Sequence, residues 1–106
     1  MAGTALAAGM VASTAVLMLG LAAVGGAAAE SQRVAGIADA AALAAADAAS
    51  GAVSGDPCEL AAEVAGISGA IVASCTVEGL IATVEVRTAF DGFEVAAAAR
   101  AGPPPA

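Results

Sequence analysis

The two cysteines are the residues of this chain with the most chemistry to offer, and they close one stretch, Asp56–Cys75: DPCELAAEVAGISGAIVASC. Three uses compete for them. Dithiol redox chemistry favours a C-x-x-C spacing, whereas Cys58 and Cys75 are far apart in the chain. A structural metal site wants four ligands, and the chain has no His to join two thiolates. A structural disulfide, or a pair of unbonded thiols, is what remains. Other candidate groups are isolated. Glu59 and Glu63 stand one helical turn apart, a spacing that suits acid–base work, but no cleft partner accompanies them and they read as a solvated acidic face. Without His, the scattered Ser and Thr residues build no familiar triad. No catalytic, cofactor-binding or metal-binding residue is assigned, no cofactor or small-molecule substrate is expected, and the chain does not read as an enzyme.

The elements that position the cysteines decide between bond and free thiols. Asp56, Pro57 and Glu59 spell a helix start: an N-cap, a proline suited to the first helical position, and the acidic partner of a capping box. Leu60, Val64 and Ile67 form an apolar stripe, and Gly69 ends the helix. Alternation follows, with Ile71, Ala73, Cys75 and Val77 on one face of a strand. A turn at Glu78-Gly79 pairs Val77 with Leu80, Cys75 with Ala82, Ala73 with Val84 and Ile71 with Val86. A second turn at Asp91-Gly92, a stronger hairpin signal, pairs Phe90 with Phe93, Thr88 with Val95 and Val86 with Ala97. Thr83, Glu85, Arg87, Glu94 and Arg100 fall on the opposite, solvent face. The result is one helix packed on a three-stranded antiparallel meander.

Within that unit the lengths match. Ten helical residues after Cys58 climb about 15 Å, and four strand residues from Ile71 to Cys75 descend about 13 Å. Both sulfurs end near one level, so a Cys58–Cys75 disulfide, with Cα atoms about 5–6 Å apart, is the favoured reading. Closing a loop of roughly 17 residues contributes about 3 kcal/mol in the chain-entropy model, help that a small alanine-filled core needs. A structural disulfide implies an oxidising compartment.

Composition narrows the setting. The chain has 106 residues, three Arg and no Lys against ten acidic residues, and a net charge of −7. That balance excludes a nucleic-acid partner, whose phosphates need cations, and a helix lying on an anionic leaflet. No charge occurs before Glu30. Residues Ala2–Ala29 form an uncharged run, densest in large apolar side chains over MVASTAVLMLGLAAV (Met10–Val24), long enough for a hydrocarbon core of about 30 Å. It reads as a permanent transmembrane helix. The competing reading is a signal peptide cleaved after Ala27-Ala28-Ala29, although MAGTALAAG lacks the basic start such a peptide wants. Arg33, just past the run, hints at a cytoplasmic C-terminus on the positive-inside rule; the disulfide outweighs it and puts the C-terminal part outside. Small residues at Ala5, Gly9 and Ser13 make a ladder of the kind that lets membrane helices approach closely.

From Glu30 the pattern stays helical but becomes soluble: ESQRVAGIADAAALAAADAAS, with Val34, Ile37 and Ala41 on one face and Asp39 and Asp47 on another. Only Gly36 interrupts it, at a cost of about 1 kcal/mol relative to Ala, so one helix is expected from the membrane out to about Ser50. It ends in SGAVSGDP, a Gly/Ser-rich turn.

The stretch QRVAGIADAAALAAADAA resembles the motif that follows the membrane helix in the TadE/TadG-like pilus-assembly family, above all its Asp39-Ala40-Ala41-Ala42-Leu43 core. The whole layout, with an apolar N-terminus, an alanine stalk, the Cys58/Cys75 pair and a short β-rich end, is similar to the short actinobacterial TadE-like proteins of a helicase and secretion neighbourhood. Prepilin processing prefers a Gly with Glu five positions on, and Gly3 is here followed at that position by Ala8. The resemblance implies a non-enzymatic minor pilin or pseudopilin of a Tad-type (Flp) pilus or secretion apparatus. Its partners would be the bilayer and other pilin-like or Tad-apparatus membrane proteins. The expected organisation is α+β: a transmembrane helix (1–29), a helical stalk (30–50), a disulfide-stapled αβββ head (51–101) and a Pro-rich flexible tail (102–106). The alternative is a small extracytoplasmic binding protein unrelated to pili, secreted or anchored, with residues 1–29 as its signal peptide.

Overall fold

The computed structural model describes residues 1–105; Ala106, the end of the Pro-rich tail, lies outside the described residues. Five elements follow in order: α1 (Ala2–Ala49), α2 (Pro57–Ile67), β1 (Ile71–Glu78), β2 (Ile81–Phe90) and β3 (Phe93–Ala101). This is the expected α+β class. The strands form an antiparallel sheet in the order β1-β2-β3. The 48 residues of α1, at 1.5 Å each, span about 72 Å, which accounts for the longest dimension of 75 Å. Gly36 does not break it.

The region expected as a stalk is instead the centre of the head. Val34, Ile37, Ala38, Ala41, Ala42, Ala45 and Ala46 are buried along one stripe of α1, the spacing of a core-facing helix, and pack with Ala82, Val84 and Val86 of β2. The short helix α2 lies beside α1 and leans on β1, so α1 is the main cover of the sheet. Nine of the thirteen buried apolar residues among those described are alanine. Such side chains let backbones approach closely but remove little apolar area from water each.

Local chemistry sets the ends of α2. Asp56 Oδ1 accepts from the backbone N–H groups of Cys58 (2.9 Å) and Glu59 (3.1 Å), and Pro57 occupies the first turn. The return bond expected from the Glu59 side chain is not among the bonds formed. At the far end Gly69 takes φ +78°, while the N–H groups of Gly69 and Ala70 donate to the carbonyls of Gly66 and Ala65. That pair of bonds is a Schellman ending, in which glycine avoids the strain of a left-handed residue. The buried face of α2 differs from the expected one. Ala61 and Ala65 are buried, Leu60 and Val64 flank them half-buried, and Ile67 is exposed. A helix laid against the alanine face of α1 comes closest where it too has alanine.

The second hairpin has the expected register, with Phe90 opposite Phe93, Thr88 opposite Val95 and Val86 opposite Ala97. The first does not. Its turn is Gly79-Leu80, so Glu78 pairs with Ile81, Val77 with Ala82 and Cys75 with Val84. Gly79, at φ +63°, fills the first central position, where a type II′ turn takes its glycine. The two-residue slip leaves Cys75 and Val77 facing the core. An irregularity between Val72 and Ser74 then inverts the alternation, as a β-bulge does. Val72 packs inward in place of Ala73, and Ile71 turns out to solvent.

Candidate functional site

Cys58, on the first turn of α2, and Cys75, in the middle of β1, are joined by a disulfide, with Cα atoms 5.9 Å apart. The bond ties the start of α2 to the sheet. Cys75 packs against the alanine core, and no free thiol remains for redox or ligand chemistry among the described residues. Glu59 and Glu63 are exposed on the outer side of α2.

The first part of α1 presents a different kind of surface. Every residue from Ala2 to Ala29 is exposed, including Leu6, Met10, Val11, Leu17, Leu19 and Leu21. By length and composition α1 is a candidate membrane span, and none of its most apolar window is buried in the protein. The core helix of a soluble protein would hide that window. The hydroxyls in mid-run are satisfied within the helix: Ser13 Oγ donates to the Gly9 carbonyl and Thr14 Oγ1 to that of Met10, each at 2.9 Å. Such internal pairing is what a lipid environment demands of polar groups. Gly9 and Ser13 of the small-residue ladder are thereby linked to each other, on the open face of the helix.

Where the two parts of α1 meet, a polar node locks helix to sheet. The Glu30 carboxylate accepts from Arg33 Nε (3.0 Å) and Nη2 (2.8 Å), and Thr88 Oγ1 of β2 donates to Glu30 Oε1 at 3.2 Å. Arg33 Nη1 reaches 3.0 Å to the carbonyl of Ser68, the C-cap of α2, where a cation suits both the orphan carbonyl and the helix dipole. Three elements therefore meet on one ion pair. The hydrogen bonds from Arg33, aided by its charge and by Thr88 against a partial desolvation, hold the Glu30 carboxyl below its ordinary value; the hydrogen bond to Glu30 in turn raises Arg33. As a topology signal Arg33 was ambiguous in the sequence. In the fold its charge is neutralised at once and committed to α2.

Beside the node lies a shallow open depression of about 420 Å³ between Gly69, Arg87, Thr88 and Phe93. The cation on it, Arg87, is already paired, with Glu85 at 3.1 Å and Glu94 at 3.5 Å. No cluster of three or more His, Cys, Asp or Glu suited to a metal occurs among the described residues. What the arrangement offers is a bare apolar helix, a covalently tied head and a hydrogen-bonded junction between them. No family model, curated protein or solved structure matches the chain.

Proposed function

We propose that this chain is a single-pass membrane protein, N-terminus cytoplasmic and head extracytoplasmic, that works by assembly as a TadE-like minor pilin or pseudopilin of a Tad-type pilus or secretion apparatus. The observation that carries the membrane part is the fully bare apolar surface of α1 from Ala2 to Ala29 beside a well-buried face from Val34 onward. The disulfide supports an oxidising, extracytoplasmic location for the head. The pilus part rests on the resemblance of residues 32–49 and on the order of the segments. In this reading the uncharged helix packs with the membrane helices of partners, and the head presents a surface to the apparatus.

The competing role of residues 1–29 as a cleaved leader is less well supported. Cleavage after Ala29 would cut within a continuous helix, one residue before the Glu30 node. Intact mass of the membrane-extracted protein tests this directly, and a mass beginning at Glu30 would sink the anchored reading. Thiol labelling from either side of the membrane tests orientation: Cys58 and Cys75 should label only after reduction, and only from the outer side. Co-purification with membrane proteins encoded beside a Tad ATPase tests the assembly role, and a chain recovered alone and monomeric from its native membrane would remove it.

A further inference from the structure

The end of the head nearest the apolar helix carries an exposed apolar rim. Ile67 is 81% exposed, Phe93 74% and Ile71 68%, and half-buried Phe90 joins them. Their level along α1 can be read from two contacts. Thr88 bonds Glu30, and Phe90 lies against Gly26, where an added Cβ would stand 3.9 Å from its ring. Two strand residues and four helical residues each cover about 6 Å, so β2 runs down α1 toward its N-terminus. Phe93 pairs with Phe90 and shares the level of Gly26. Ile71 faces Arg87, and Ile67 precedes the Ser68 carbonyl that Arg33 holds, so both lie near the level of residues 30–33.

Phe90 and Phe93 therefore stand beside α1 where the uncharged run gives way to the charged one, with Ile67 at the end of α2 and Ile71 on the outer face of the sheet at a nearby level. The run Ala2–Ala29 is about 42 Å long, more than the roughly 30 Å of a hydrocarbon core, and its large side chains end at Val24. Residues 26–33 then fall at the depth of the lipid headgroups. We propose that the rim of Ile67, Ile71, Phe90 and Phe93 is seated in the interfacial layer of the bilayer that α1 crosses, which holds the head against the membrane surface. The inference rests on the membrane-anchored reading above. Continuity carries it: the rim extends the lipid-facing surface of the span sideways with no polar gap between Phe90 and Gly26. Asp91, at the hairpin tip, limits the depth, because its carboxylate must stay among hydrated headgroups. All the charge of the chain, −7, lies beyond Ala29, so attraction to anionic lipid contributes nothing; Arg87 and Glu94, beside Ile71 and Phe93, are paired with each other and stay with Asp91 among the headgroups.

The chain has no Trp, which makes single-Trp reporters clean. Full-length Phe93→Trp, Leu17→Trp and Leu80→Trp variants are placed in phosphatidylcholine bilayers with bromine either near the headgroup end of the acyl chains or near the midplane. The inference expects Phe93→Trp to show blue-shifted emission that loses most of its intensity with the shallow bromines and little with the deep ones. Leu17→Trp should be quenched by lipid bromine, and Leu80→Trp, at the far end of the head, by neither lipid. Quenching of Leu17→Trp with water-like, unquenched emission from Phe93→Trp overturns the rim and leaves the anchor standing. No quenching of either overturns both. A blue shift of Phe93→Trp that grows with protein-to-lipid ratio without bromine quenching also overturns it and assigns the rim to a second copy.

Discussion

The two parts of α1 are written in nearly the same alphabet for two different surroundings. From Ala2 to Ala29 every residue is exposed, and large apolar side chains point to all sides. From Glu30 to Ala49 burial follows a stripe, Val34 to Ala46, while Asp39 and Asp47 hold the open side. Alanine is common to both and decides neither. What assigns each part is where the few large apolar and charged residues fall: all round and uncharged in one, one-sided and acidic in the other. The junction between them is held by Glu30, Arg33 and Thr88, which tie the helix to the sheet at the transition itself.

The strongest way to break this contrast is to place one charge in each part. Ala42→Asp buries an unpaired carboxylate against the sheet, an error of about 3–5 kcal/mol. Amide exchange across β2 should accelerate throughout the head. Ala15→Asp should leave β2 protection unchanged in detergent, yet weaken membrane insertion by about 2.5–3.5 kcal/mol, read as protein lost from the membrane fraction. If both substitutions act alike, the two-solvent reading of α1 is wrong.

Next in size is the staple. Cys58→Ser with Cys75→Ser opens a loop with a sequence separation of 17 and should cost about 3 kcal/mol. Hydrogen exchange should then show β1 and α2 opening first, with α1 still helical below Glu30. Smaller again is Asp56→Ala, which frees the Cys58 and Glu59 amides and should cost about 1 kcal/mol, measured as a lower denaturant midpoint for the head alone.

The smallest effect is the junction's response to acid. The carboxyl of Glu30 is held below the ordinary glutamate range, chiefly by hydrogen bonds from Arg33. A depressed folded value stabilises the junction fully above that range and loses the contribution as pH falls through the lowered value. Protection of the Thr88 and Ser68 neighbourhood should therefore hold at neutral pH and drop only in strong acid. Glu30→Gln should remove that pH dependence, and a loss of protection between pH 6 and 8 would count against the node.

Legibility in the sequence followed how many chemical options each signal left open. Asp91-Gly92 leaves one: both residues adopt positive φ, 49° and 80°, as a type I′ turn requires, and the β2–β3 register was readable in full. Around Gly79 two registers compete, because a two-residue turn accepts glycine at either central position. The register expected from a Glu78-Gly79 turn and the one formed around Gly79-Leu80 differ by two residues. Such a slip preserves which face each side chain takes, so Cys75 still pointed at α2 and the disulfide was readable despite the error. The bulge beside Ala73 had no signal in an apolar strand without Gly or Pro, and it sent Ile71 outward. On α2 the large residues misled: the expected Leu60–Val64–Ile67 stripe flanks the contact that Ala61 and Ala65 make.

The sequence by itself determined the elements and their ends: the uncharged run to Ala29, the cap at Asp56, the Gly69 stop, the Asp91-Gly92 turn and the pair of cysteines. Each rests on local chemistry, in which one residue type satisfies a backbone or solvent requirement that few others satisfy. Only the tertiary structure decided that residues 34–46 are core rather than stalk, that Arg33 serves α2, and that Ile67, Ile71 and Phe93 crown the end of the head. In a chain so rich in alanine, burial carries no residue label. Which alanines meet is settled by the approach of whole helices and strands, and the large side chains take the room left over.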